Sequence, residues 1–534
     1  MKTLSAARIG FCIAAVAMRT HPADAETRIL VPGGPLHGVN GLSIGPDGFL
    51  YAASFLGQTI SKIDPKTGRV EIVANSPVGD SDDVAVRSDG MMAWTAAAGE
   101  VRGKMPGGEV RVLAARMPGV NPITWAPDGR LVFGQMGQAD TIWSVDVAKN
   151  DPPVALKREA GHVNGFAFGK DGRLYAPLWQ KDRIVAIDPK TGATQTVVSG
   201  IGMPSAVKVN SKGDLISSDW LSGEIRRTEP KKGKSEVIAT VTPPIDNLAV
   251  AKDGTIFVSH PADSSIEAIT GKGAVRTVVP GQFAVPAGMT TIPVAGRTML
   301  LVADPLTYRT VDPLTGAIPR EPWVQELGMS TDVAGNTRFV VTSHQSRGLV
   351  QKFARNGVSI FGELVETYQV PKATGVAVLI NGDVIAASFD KGELLRLKDK
   401  TATTIATGLG GPMNVLRLSE REVLVSEATA GVISHIDLAS GTRTVVVRDL
   451  AMPQGIALLP DRRLAVAEKG KQRVVVVEMG SQTPPVVLAQ NLPFASDILR
   501  ALPEVGLPVG LAFANGQLHV TCAGDNSIRT ITLN

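Results

Sequence analysis

The sequence predicts an all-β chain of two tandem six-bladed β-propellers, each closed by a borrowed outer strand. Three observations lead there. First, a polar residue opens a short hydrophobic strand, and an Asp-Gly or similar turn then leads into a second strand; the unit recurs at Asn40, Asp82, Asn121, Asn164, Ser205 and Asp246. The spacing is roughly 40 residues, the period of a propeller blade. Second, the unit continues in looser form near Gly288, Ser330, Thr374, Asn414, Gln454 and Val509. Twelve units exceed the four to eight blades of one propeller, so two rings of six are expected. Third, an outer-type strand, Thr27–Val31, precedes the first unit, while the last unit stops after its third strand, SIRTITL. Thr27–Val31 would complete the blade begun at Asp246, and residues 275–279 the blade begun at Val509. Such closure removes free sheet edges. The expected division is a signal peptide over 1–25, a first propeller over 26–270 and a second over 271–534.

Within a unit the third and fourth strands meet at a turn. Asp64-Pro65-Lys66-Thr67-Gly68, Asp188-Pro189-Lys190-Thr191-Gly192 and Asp312-Pro313-Leu314-Thr315-Gly316 are examples. Proline presets φ there and glycine takes the left-handed position. Outer strands rich in valine and threonine follow, such as TQTVVSG and TRTVVVRDL, as β-propensity favours.

Composition excludes several classes. Of 534 residues, 44% are hydrophobic and 19% charged, which suits a folded, sheet-rich chain and argues against disorder. The net charge of +4 includes no Lys/Arg block, so no nucleic-acid role is expected. Lys2 and Arg8, the short apolar run IGFCIAAVAM and the small-x-small pattern Ala23-Asp24-Ala25 read as a cleaved secretory signal. The expected location is the bacterial periplasm or the cell exterior, with no membrane span after signal removal. Cys12 leaves with the signal, so Cys522 has no internal partner and reads as a buried small hydrophobe.

The chemistry concentrates in the first half. If each opener heads the innermost strand of its blade, Asn40, Asp82, Asn121, Asn164, Ser205 and Asp246 converge on one axis. All present hard oxygens, the donors that calcium takes six to eight at a time. Asp82 and Asp246 would balance a divalent charge, with Asp83 and Asn247 beside them. The competing reading is that Asn and Asp merely enter strands through tight turns. The second half has the same turns but opens on Gly, Ser, Thr, Asn, Gln and Val, so turn chemistry alone does not require the amides and acids. Five of the six tryptophans also lie in the first half, including Trp179 and Trp220 at the ends of neighbouring second strands. His37 and His162 precede Asn40 and Asn164, where an imidazole can serve as a general base. The chain has no Gly-x-Ser-x-Gly elbow, phosphate loop or zinc-spaced Cys/His cluster.

The units GPDGFLYAAS, APDGRLVFGQ and GKDGRLYAPLWQKDRIVAIDPKTG resemble repeats of the SMP-30/gluconolactonase-like superfamily, which borders on NHL repeats and streptogramin B lyases. The resemblance implies six-bladed propellers and a catalytic divalent ion held on the axis by a Glu, two Asn and an Asp. Asn121 and Asn164 match the two asparagines. Asp82 stands where a Glu would be, Ser205 intervenes before Asp246, and Asp246-Asn247 is similar to a pair in the paraoxonase branch. The tandem arrangement departs from the single-ring enzymes. The function this implies is a metal-dependent hydrolase of lactones or related esters, with Asp82, Asn121, Asn164 and Asp246 holding a divalent metal, Ca2+ by its donors, and Asn40 and Ser205 supporting. His162 or His37 would carry the proton. The expected partner is a small-molecule lactone or ester, with the second propeller open to a protein partner. Two other readings stand beside it: a non-catalytic propeller used for binding or scaffolding, and a streptogramin B lyase-like elimination enzyme.

Overall fold

A computed structural model describes residues 26–149, 151–271, 273–319, 323–324, 329–356, 360–494 and 507–533. The expected signal segment, 1–25, lies outside these. Among the described residues the strands form twelve four-stranded antiparallel sheets, an arrangement consistent with tandem β-propellers; no sheet is itself curled into a barrel. No helix is long and apolar enough to cross a membrane.

The first sheet sets the pattern. Val39–Ile44, Leu50–Ser54, Thr59–Ile63 and Val70–Ala74 run as a meander, each pairing with the next. The inner strands are short and buried, and the outer ones are partly exposed. The first six innermost strands neighbour one another in chain order, and the sixth, Leu248–Val250, meets the first, Val39–Ile44. The second six do the same, from Met289–Val294 round to Leu511–Ala514.

Apolar side chains fill the spaces between successive sheets. Leu42, Leu50, Ala52 and Ile63 pack on Ala249, Phe257, Ile266 and Ala268, which joins the sixth sheet to the first. Hydroxyls then stitch one second strand to the next opener. Thr95 Oγ1 donates to the Asn121 carbonyl at 2.7 Å, and Ser259 Oγ closes the ring onto the Asn40 carbonyl at 2.5 Å. In the second ring Ser343 Oγ reaches the Thr374 carbonyl at 2.5 Å and Thr521 Oγ1 the Ala287 carbonyl at 2.9 Å. Each bond satisfies a carbonyl that would otherwise be buried unpaired.

The expectation that each ring borrows an outer strand is overturned. Thr27–Val31 does not complete the blade begun at Asp246; it pairs with Ser527–Thr532 in the last sheet, with Thr27 opposite Ile531. Residues 275–279 do not join the blade begun at Val509. They lie in Ala274–Val279, which folds back on Ser265–Thr270 within the sixth sheet. The reason is local. Gly271 and Gly273 hold φ of 55° and 86°, so a tight turn returns the chain at once onto its neighbour, and short loops cost little closure entropy. The last sheet receives only three strands from the chain's end, and its open edge takes the one strand without a hairpin partner. This strand ties the front of the described chain to its end. Leu30 and Val31 are buried against Phe283, Met289 and Ile528.

Removing residues 26–31 should therefore strip the edge of Ser527–Thr532 and expose the surface that Leu30 and Val31 cover. Two such side chains are worth about 3–6 kcal/mol. Thermal unfolding should show a lower Tm and light scattering should show association. An unchanged Tm would contradict the pairing.

Candidate functional site

Four of the six openers form one polar group at the mouth of the first ring. Asn40 Nδ2 donates to Asp82 Oδ1 at 3.0 Å. Asp82 Oδ2 is buried with no hydrogen-bond partner among the described residues. Asp246 is 9% exposed and Asn164 is 7% exposed. Burial raises Asp246 to about 7, helped by the Asp83 charge and opposed by the Asn40 and Asn164 amides. Asp82 is pushed well above the usual carboxylate range by burial, then by the charges of Asp246, Asp83 and Asp80, against the Asn40 hydrogen bond. Two carboxylates taken from water side by side resist joint ionisation, so without a counter-charge the pair retains a proton near neutrality.

The other two openers are placed differently. Ser205 is fully buried, and its hydroxyl lies 2.9 Å from Ser218 Oγ and donates to the Ile245 carbonyl at 3.0 Å. It stitches the fifth sheet to the sixth. Asn121, second in Val120–Trp125, is half-buried, and its carbonyl takes the Thr95 hydroxyl.

The histidines separate in the same way. His37 Nε2 faces the Ala523 carbonyl at 3.2 Å, against the last sheet rather than the ring. Burial lowers it to about 4, so it is neutral at physiological pH. His162 is held through its backbone. Its backbone N–H is held by Asp140 Oδ1 at 2.7 Å, and its carbonyl accepts the Trp179 N–H at 2.8 Å. Trp179 packs edge-on against Trp220, with centroids 5.5 Å apart, making an aromatic wall at the ends of the fourth and fifth second strands. Asp219, before Trp220, is occupied by the backbone of Leu221 and Ser222. Cys522 is fully buried, and burial pushes its thiol up to about 12.

Asp83 and Asn247, which the sequence places beside the two acidic openers, form the layer below; the part of Lys208 in it was not foreseen. Asp83, one residue after Asp82, accepts from Asn247 Nδ2 at 3.1 Å, Val84 N at 2.9 Å and Ile123 N at 3.2 Å. It ties sheets two, three and six across the axis. Gly41 makes room for it, since a Cβ there would lie 2.3 Å from Asp83 Oδ1. The Lys208 ammonium opposes the upward push of burial on Asp83. Lys208 also lines a cavity of about 320 Å³ on the far side of this knot, away from the openers. Neighbouring acids at 82 and 83, and a lysine inside the apolar strand PSAVKV, were the available signals. The second ring repeats the device. Asp332 Oδ2 accepts from Val376 N at 3.1 Å and Asn414 Nδ2 at 3.4 Å, while Oδ1 is buried without a partner.

Among the described residues no group of three or more His, Cys, Asp or Glu side chains is arranged to hold a metal ion. The mouth of the first ring instead mixes two carboxylates with amide oxygens, and one carboxylate oxygen is unpartnered. That donor set fits a hard divalent cation and does not suit zinc.

Residues 17–212 match the family described as SMP-30/Gluconolactonase/LRE-like region. That match reaches from the first into the fifth of the repeats in which the resemblance was read. Three solved structures are similar to parts of the chain. A streptogramin B lyase is 18% identical, with a TM-score of 0.39 over 53% of this chain and 95% of its own. A putative gluconolactonase is 15% identical, with a TM-score of 0.38 over 49% and 95%. Regucalcin from Agrobacterium tumefaciens str. C58, a calcium-binding protein, is 19% identical, with a TM-score of 0.36 over 44% and 85%. No curated protein matches the chain.

Burial raises Asp332 to about 7 in the folded chain, against about 3.9 when unfolded. The native state then binds more protons than the unfolded state between these values. Its contribution to stability is full below about pH 4 and lost as pH rises through 7. Asp332→Asn should flatten the fall in denaturant midpoint between about pH 4 and 7. An identical slope in the variant would contradict the assignment.

Proposed function

We propose that the first ring is a hydrolytic site for lactones or related esters that works with a divalent cation, calcium by its donor chemistry. One observation carries this reading: a buried, unpartnered carboxylate oxygen, Asp82 Oδ2, beside a second buried carboxylate, Asp246. Two negative charges without a counter-charge are costly there, and a divalent cation would neutralise both. Asp82, Asp246 and Asn164 would hold it, with Asn40 orienting Asp82. When bound, such an ion polarises an ester carbonyl and lowers the pKa of water.

The chain's own side chains do the rest. Asn40 Nδ2 holds Asp82 Oδ1 and so directs the free Oδ2. The Trp179–Trp220 wall offers an apolar face to the body of a substrate and keeps water from one side of the mouth. His162, fixed through its backbone to Asp140 and Trp179, is the proton carrier. His37 serves instead at the junction with the last sheet, and Ser205 in stitching sheets.

The protein as purified should contain calcium by elemental analysis, lose Tm on chelation and regain it with added calcium. Asp82→Asn and Asn164→Ala should each weaken calcium binding at least tenfold and abolish lactone hydrolysis. Hydrolysis in heavy-oxygen water should label the product acid. Turnover without label would assign an elimination instead, and absence of both metal and any chelator shift would overturn the reading.

A further inference from the structure

The second ring has a cavity of its own, of about 590 Å³, on the face where its inner strands begin. That volume is ordinary for a small-molecule site. Phe389, Met413 and Met452 give it apolar walls. Met413 and Gln454 come from the inner strands Pro412–Arg417 and Pro453–Leu458, and Lys469 follows the second strand Leu464–Glu468.

Two polar groups in this cavity are unmatched. Gln345 is 3% exposed, and its Oε1 is buried with no partner among the described residues. Its orphaned acceptor calls for a donor, since leaving it unpaired costs about 1–3 kcal/mol. Lys469 Nζ donates to the Leu507 carbonyl at 3.3 Å, which uses one of its three hydrogens. No carboxylate pairs with it among the described residues, because neighbouring Glu468 is taken by Arg473 and the Ala451 N–H. Gln454 is settled, its Oε1 accepting the Val509 N–H at 2.8 Å. Lys372 and Asp390 also line the cavity, with opposite charges.

The requirements converge on one ligand chemistry. A single positive charge wants one negative charge. Apolar walls disfavour a multiply charged, strongly hydrated anion such as phosphate. The free Gln345 oxygen wants a hydroxyl. We propose that this cavity is a second ligand site, for a small hydroxy-carboxylate with an apolar body, its carboxylate on Lys469 Nζ and its hydroxyl donating to Gln345 Oε1. The assignment is independent of the hydrolytic reading of the first ring.

Calorimetric titration of the full chain with mandelate, phenylacetate and mandelamide tests it. Mandelate should bind saturably, phenylacetate more weakly for want of the hydroxyl, and mandelamide not at all for want of the charge. Lys469→Met should weaken mandelate at least tenfold. Gln345→Leu should remove the preference for mandelate over phenylacetate, and this arm decides the matter if Lys469→Met does not fold. Asn164→Ala, in the first ring, should bind mandelate normally. No saturable mandelate binding, equal binding of mandelamide, unchanged affinity in folded Lys469→Met, or loss of binding in folded Asn164→Ala would each overturn the proposal.

Discussion

Closure of the first ring is the constraint on which the site depends. Leu248–Val250 meets Val39–Ile44, and Ser259 Oγ fastens the contact to the Asn40 carbonyl. Without that contact Asp82 and Asp246, 164 positions apart like their neighbours Asp83 and Asn247, would stand at opposite ends of an open fan of sheets. With it, residues from the second and sixth sheets share a few ångströms of the axis. The apolar packing between sheets supplies the driving force, and the hydroxyl stitches fix the angle at which each sheet enters.

Below the mouth, the axis is held by charge rather than by apolar contact. Asp83 accepts three hydrogen bonds from three sheets, with Lys208 as its counter-ion, and Asp332 does similar work in the second ring. A buried carboxylate is costly unless bonded, but it can bond several backbone N–H groups at once. That suits an axis where converging strand starts leave such groups without ladder partners. The two rings differ above this layer. The first presents paired acids and amides, and the second an apolar cavity with a lysine.

Much of this was legible in the chain. The period of roughly 40 residues, the Asp-Gly turns and the Asp-Pro-x-Thr-Gly turns mark the sheets, because they rest on local backbone preferences. The openers Asn40, Asp82, Asn164 and Asp246 were visible by recurrence in phase. Which end strand closes which sheet was not, since TRILV and AVRTVV look alike and only the edges left free in space decide between them. The glycines at 271 and 273 were the local clue to the hairpin. Nor does sequence say which of two adjacent acids faces the mouth and which the knot; the bend that leads into Val84–Val86 puts Asp82 and Asp83 on different duties. His37 stands three residues from Asn40 yet turns to Ala523, because a contact between distant parts of the chain outweighs proximity in sequence.

The central claim is that Asp82 and Asp246 occupy one site. A double-mutant cycle with Asp82→Asn and Asp246→Asn, read as unfolding free energy in chelator at about pH 8, measures their coupling directly. The account predicts that relief gained from the first substitution is largely absent from the second, a non-additivity of about 1 kcal/mol or more. Additive effects, within about 0.5 kcal/mol, would show that the two carboxylates do not share a site.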